Sequence, residues 1–256
     1  MPRTYYAPFG LQKTTYAAPA GSGAGPYPLG TKLVLPDERT FRHALAGASA
    51  RVAGRLYQSV VPLTAGQHTE LVVSTVPAIG DKTIAATTVT TAGAIDIYSE
   101  GFAWFNKSTG LDYGHRIRRA IASGQAHAAF AAGGIVTVNL EPGETVDVAG
   151  GASTEVSLTR NRWHSTIICP SPATAAVSGV SIGVAAGSRY YYEQTRGECA
   201  VGIEGTMVIS DPIVASATSD GLAMPSAAIE TDGPQIGIAL NLNITAETGC
   251  VFLTMD

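Results

Sequence analysis

Charged side chains are what this 256-residue chain has least of. Asp, Glu, Lys and Arg make up 14% of it, where a typical soluble domain carries about a quarter. Long apolar runs are missing as well. The nearest, Ile121 to Leu140, is interrupted by Gln125, His127 and several glycines, whereas a spanning helix needs roughly 20 consecutive apolar residues. No membrane partner is expected on this ground. Nor is there a basic excess. The net charge is −4 and the pI about 5.7, which argues against nucleic acid as a general partner, because that requires a basic face. Cysteine is sparse and odd in number. Cys169, Cys199 and Cys250 form no C-x-x-C pair, so reduced thiols folded in a cytosol are expected rather than a secreted disulfide framework. The opening MPRTYYAPFG shows no apolar stretch of the kind a secretory signal needs.

What is abundant is Ala, Val, Ile, Thr, Ser and Gly, with hydrophobic residues at 45% and mean hydropathy at +0.17. Small and β-branched residues favour strands over helices. The length suffices for a proper core, in one large β domain or two smaller ones. A water-facing surface so poor in charge is a poor colloid. Much of it is therefore expected to be covered by further copies of the chain or by a partner.

The stretch Leu29 to Gln58 gives the strongest local pattern. Leu33-Val34-Leu35 is strand-like, Pro36-Asp37 forms a turn, and Thr40-Phe41-Arg42-His43 alternates again, which predicts a β-hairpin. From Ala44 to Gly54 the period-2 signal fades, and Val52 and Leu56 stand at helical spacing with Gly47 and Gly54 interrupting. A short helix or a tight coil is expected there. Further strands are predicted at 71–73, 83–89, 135–138, 155–159, 165–169, 180–184, 190–195, 200–203, 206–209, 213–215, 235–244 and 250–254. A second hairpin joins Phe102-Ala103-Trp104 to the strand holding Ile117 through Asn106 to Gly110. Turns recur every eight to twelve residues, the rhythm of an all-β sandwich or barrel. The fold class expected is all-β, with short antiparallel strands, one or two short helices and an extended N-terminal arm.

Three regions follow: an arm over 1–30, a β domain over 31–150 and a C-terminal sandwich or barrel over 151–256. Gly150-Gly151 marks either that second boundary or a loop inside one domain. The arm contains five prolines and five glycines, which excludes regular helix and disfavours a central strand. Tyr5, Tyr6, Phe9, Tyr16 and Tyr27 make it apolar for a solvated tail. It reads as a disordered leader or as an arm laid on a neighbouring subunit or on the capsid, its aromatics acting as interface anchors.

Three blocks carry a resemblance. They are "LGTK … PDxRTFR … AGASA … AGxLYQ" within 29–58, Glu100 to Phe105 with Gly114 to Arg118, and Tyr190 to Val201. In that order they resemble virion proteins encoded beside the capsid genes of tailed bacteriophages, similar in kind to head decoration, or cement, proteins. The likeness runs through most of the chain as a pattern of turns and strand residues, and no block carries chemistry. It implies a homotrimer, the major capsid protein of the same phage as partner, and a place on the outside of the virion head after synthesis in the host bacterial cytoplasm. The rival readings are another virion component (tail, head-fibre or host-binding protein) and a polysaccharide hydrolase.

A search for chemistry finds little. Gly179-Val180-Ser181-Ile182-Gly183 matches G-x-S-x-G, but that elbow needs a following helix and a later histidine, and His164 is the last one. His43, His68, His115, His127 and His164 form no metal-binding spacing. Asp112 with His115 is expected to be an exposed polar turn. Asp96 with Glu100, and Glu141 with Glu144, are expected to be solvated. The glycines from 21 to 25 lack the P-loop ending. No catalytic residue, cofactor or metal is assigned. The one charge cluster, Arg116, Arg118 and Arg119, reads first as an exposed strand face, next as a basic strip meeting carboxylates on a shell or across a subunit contact, and last as a DNA contact. Tyr190 to Tyr192 is expected to alternate faces as packing.

Overall fold

Every backbone N–H and C=O in a chain without long helices must find its partner across strands. The computed structural model, which describes residues 4–17, 26–61, 68–88, 91–107, 114–120, 125–226, 233–244 and 247–256, meets that demand in two compact units. One is built from residues 1–18, 25–61 and 162–256, the other chiefly from 62–161. These limits differ from the expected cuts after residues 30 and 150: the second unit is an insertion within the first.

The first unit opens with β1 (Thr4–Tyr6), β2 (Tyr16–Ala17), β3 (Lys32–Val34), β4 (Thr40–Leu45) and β5 (Arg55–Gln58). The inserted unit supplies β6 (Leu71–Val72), β7 (Thr83–Thr87), β8 (Phe102–Lys107), β9 (Gly114–Arg116), β10 (Ile135–Asn139) and β11 (Glu155–Thr159). The first unit resumes with β12 (Ile167–Ile168), β13 (Val177–Ser181), β14 (Arg189–Gly202), β15 (Pro212–Ala215), β16 (Ala223–Pro225), β17 (Gly237–Ala239) and β18 (Thr248–Thr254). The chain is all-β. Among the described residues the helical content is one 3₁₀ turn, Leu11–Lys13.

In the first unit the strands run in the order β1-β3-β4-β14-β18-β17-β15-β16, with β5 attached through β13 and β12. The predicted hairpin is β3–β4, its register pairing Leu33 with Phe41. Asp37 closes the turn by accepting from the Arg39 N–H at 3.2 Å, and Glu38 takes a left-handed φ of 64°. The spine is β14, 14 residues long, which bonds β4 along its first half and β18 along its second. Two separate strands were expected here. The chain passes instead through a register shift between Gln194 and Arg196 and through Gly197 at φ 86°. Tyr190, Tyr191 and Tyr192 are all buried. The rings do alternate, Tyr190 and Tyr192 meeting His43 and Tyr191 meeting Tyr57, and both faces of β14 are covered at this point.

Ala44 to Gly54 is coil rather than helix after its first residues complete β4. Its N–H groups reach distant partners: Gly47 donates to the Thr166 carbonyl, Arg51 to Ala185 and Gly54 to Ser181. An i→i−4 ladder cannot form while those donors are used elsewhere. Leu56 lies buried in β5 and Val52 is exposed.

The inserted unit holds a four-stranded sheet, β6-β11-β8-β9, and a pair, β10-β7. Both place alternate residues in one apolar cluster that includes Ala103 and Phe105, Ile84 and Ala86, Val136 and Val138, and Val156. Burying each of the larger side chains contributes about 1.5–3 kcal/mol. The predicted Trp104 hairpin is β8–β9, with Phe102 opposite Arg116. Residues 206–209, expected as a strand, supply only a single bridge from Met207 to Asn243.

Candidate functional site

The N-terminal aromatics come first, since the sequence singles them out. β1 lies parallel to β3, pairing Tyr5 with Leu33, and Ala7 continues the ladder by donating to the Val34 carbonyl. The Tyr5 ring is 5.3 Å from that of Tyr27, which meets His43 edge-on at 5.8 Å. His43 in turn stacks on Tyr190 at 5.1 Å. An aromatic ladder thus leads from the arm into the core. Ala7 and Gln12 are buried, while Tyr6 is 84% and Phe9 60% exposed. Tyr16 pairs through its backbone with Tyr190. Residues 21–25 lie outside the described part, as do Asp112 and residues 108–110 of the Trp104 hairpin loop.

The basic cluster finds its carboxylates close by. Arg116 Nη2 lies 3.5 Å from Glu100 Oε2, and Arg119 Nε lies 3.3 Å from Glu100 Oε1. The backbone N–H groups of Arg116 and Arg119 donate to Glu144 and Glu141. Arg118 is half-buried, and its N–H donates to the Asn139 carbonyl. Three expectations are corrected here. Glu100 is 4% exposed and Asp96 7%; neither is solvated. Asp96 Oδ1 accepts the N–H groups of Ala126 and His127. His115 is buried against Phe105 rather than lying in an open turn. Both Asp96 and Glu100 sit at φ near 60°, a conformation that a carboxylate-bearing residue keeps only where surrounding bonds over-determine it.

Two further clusters carry no local sequence signal. In the inserted unit His68 and His127, both 1% exposed, pack with Tyr98 and Phe130 at ring separations of 5.3 to 5.7 Å. His127 Nε2 accepts the Tyr98 N–H, and its Nδ1 donates to the Ala128 carbonyl, which fixes the neutral tautomer. Burial holds both imidazoles below the ordinary histidine pKa. In the first unit Arg51, 1% exposed, lies 4.5 Å over the Tyr57 ring and donates to the Thr166 carbonyl. Tyr191 donates to Glu193 and shares a 2.8 Å bond with Thr166. Burial drives the Glu193 carboxyl and the Tyr191 hydroxyl upward in pKa. Nothing of the cluster faces solvent, so it orders a core and offers no place for a substrate.

The G-x-S-x-G serine ends β13, is buried, and donates to the Gly183 carbonyl at 2.8 Å. The chain then turns into β14, with no helix after the serine. Among the described residues no group of three or more His, Cys, Asp or Glu stands where a metal ion would be held. A shallow cleft of about 480 Å³ is lined by Asp37, Glu38, Arg39, Arg196, Glu198 and Phe252. Its charges are mixed in sign, and Arg39 already pairs with Asp37 at 2.7 Å.

The exposed apolar surface is the most distinctive feature. In the first unit Ile238 stands opposite Phe252 in the β17–β18 pair, with Leu240 bonded beside them to Cys250. Leu242, Ile244, Val208 and Ile209 continue on either side of the Met207–Asn243 bridge, each more than half exposed. In the inserted unit Phe102 and Trp104 are each 46% exposed on the outer face of β8, and Gly114, opposite Trp104, leaves open space beside it. No family model, no curated protein and no solved structure matches this chain.

Proposed function

We propose that this chain is a structural component of a tailed-phage virion, a decoration protein on the head exterior that assembles as a homotrimer and braces the shell by bridging capsomers. The observation that carries the reading is the exposed apolar face that includes Ile238, Leu240, Leu242, Ile244 and Phe252 on a chain with only 14% charged residues. Patches of this kind mark surfaces that other macromolecules cover. Many contacts of this sort, each weak, oppose the outward pressure of packaged DNA. The resemblance in the hairpin, Trp104 and Tyr190 blocks points the same way. The test is sedimentation of the purified chain, alone and with expanded heads of its phage. A trimer that co-sediments with heads is expected. A chain that does neither overturns the reading.

The exposed pair Phe102 and Trp104 favours a second reading, a host-binding virion component, because half-exposed aromatics beside polar strand residues suit a surface ligand. Immuno-electron microscopy separates the two. Label over the whole head supports decoration, and label confined to a tail or fibre supports host binding.

A further inference from the structure

We propose that residues 4–17 exchange between copies of this chain, each arm docking along β3 and against the start of β14 of a second copy. The receiving site is defined by the arm that occupies it: β1 in parallel on β3, and β2 on Arg189 and Tyr190 of β14. That site is complete without the arm. β3, β4 and β14 pair with one another, and their core residues Leu33, Phe41 and Tyr192 cluster together. The arm adds little to that core, chiefly Ala7 and half-buried Leu11.

The same hydrogen bonds and ring contacts form whether the arm comes from its own chain or another, which is the energetic basis of exchange. The connection, residues 18–25, contains only Ala, Pro, Gly and Ser. Eight residues reach at most about 26–29 Å. The own arm's advantage is then its effective concentration, on the order of millimolar for a short linker. A crowded assembly offsets that advantage, and two features of the arm add to the effect. Tyr6 and Phe9 face outward and gain burial only against another molecule. β1 is the terminal strand of its sheet and carries no charged residue or proline, the usual devices that keep an edge from pairing.

The inference deepens the assembly reading and rests on it for its biological setting, but its test uses the isolated full chain. Failure of exchange and failure of head binding are therefore separate results. Thr4 and Lys32 are register partners in β1–β3, and paired strands bring Cα atoms about 5 Å apart, within disulfide reach. Thr4→Cys with Lys32→Cys is made in a Cys250→Ser background, and isotopically heavy and light preparations are mixed at about 1 mM and oxidised. Mass spectrometry reads which chains each 4–32 link joins. Exchange gives covalent multimers in which about half of the links join heavy to light. Links within like-labelled monomers only overturn the proposal. The pair Tyr6→Cys with Val34→Cys, also register partners, repeats the measurement if the first variant does not fold.

Discussion

The two units bury polar groups by opposite means. The first encloses a guanidinium and a carboxyl, Arg51 and Glu193, among Tyr57, Tyr191 and Thr166. The inserted unit encloses neutral imidazoles, His68 and His127, and meets its one deeply buried glutamate, Glu100, with arginines brought from its rim. A buried hydrogen-bonded network is costly to break from one side, because the groups left behind have lost water without compensation. Buried neutral imidazoles cost little until a proton arrives. One core therefore depends most on an intact bonded network, the other on keeping its imidazoles neutral.

The largest expected effect tests the first half of that contrast. Arg51→Leu takes the donor from the Thr166 carbonyl and the cation from the Tyr57 ring and should destabilise the first unit by about 2–4 kcal/mol, measured by denaturant unfolding with Trp163 fluorescence. Arg51→Lys, which keeps a cation in the same place, should recover part of the loss. If Arg51→Leu unfolds at the denaturant concentration of the parent chain, the guanidinium is not what the core is built around. Next is Glu100→Gln, which leaves Arg116 and Arg119 facing a neutral amide and should cost the inserted unit about 1–3 kcal/mol. Peptide-resolved hydrogen exchange should place the loss of protection in β8 and β9 and spare β14.

These outcomes bear on how much the sequence reveals. The β3–β4 and β8–β9 hairpins were legible from alternation and turn residues, since both are set by neighbours a few positions away. That Arg51 or Glu100 would be buried was not. Each sits in a turn-rich segment whose local text looks solvent-facing, and its partners lie far along the chain, as Thr166 does from Arg51. The proline-rich start was legible as extended but not as a strand, because β1 is stabilised by β3 rather than by its own residues. The apolar exterior was legible from composition, whereas its concentration at β17–β18 depends on register.

The pH comparison is smaller in effect and opposite in sign for the two units. His68 and His127 have folded pKa values lowered from 6.5 by burial, so the unfolded chain binds protons first as pH falls. The inserted unit keeps its full stability above about pH 6.5 and loses it progressively below that value. Glu193 has a folded pKa raised from 4.5 by burial. Its contribution is intact below 4.5 and declines as pH rises through the raised value. Hydrogen exchange at about pH 7.5 and 5.5 should show protection falling in β7, β8 and β10 on acidification, and His127→Gln should flatten that response. Equal acid sensitivity of both units would dissolve the contrast.

The smallest effect is chemical. Burial raises the Cys169 thiol to about 11 and Cys199 to about 12, whereas Cys250 is only partly buried beside Leu240. A thiol reagent at neutral pH should modify one cysteine in the native chain and all three in denaturant. Modification of Cys250 should also weaken any association through the β17–β18 face.

The insertion has a consequence for synthesis. β5 emerges from the ribosome with neither of its neighbours, β12 and β13, which follow more than 100 residues later. At about 5–20 residues per second, translation leaves β5 waiting roughly 5–20 s. During that interval Leu56 and Tyr57 are bare while the inserted unit is made and able to collapse. The nascent chain is then a finished globule hanging from an open sheet, and the last strand translated, β18, is the one that closes it against β14.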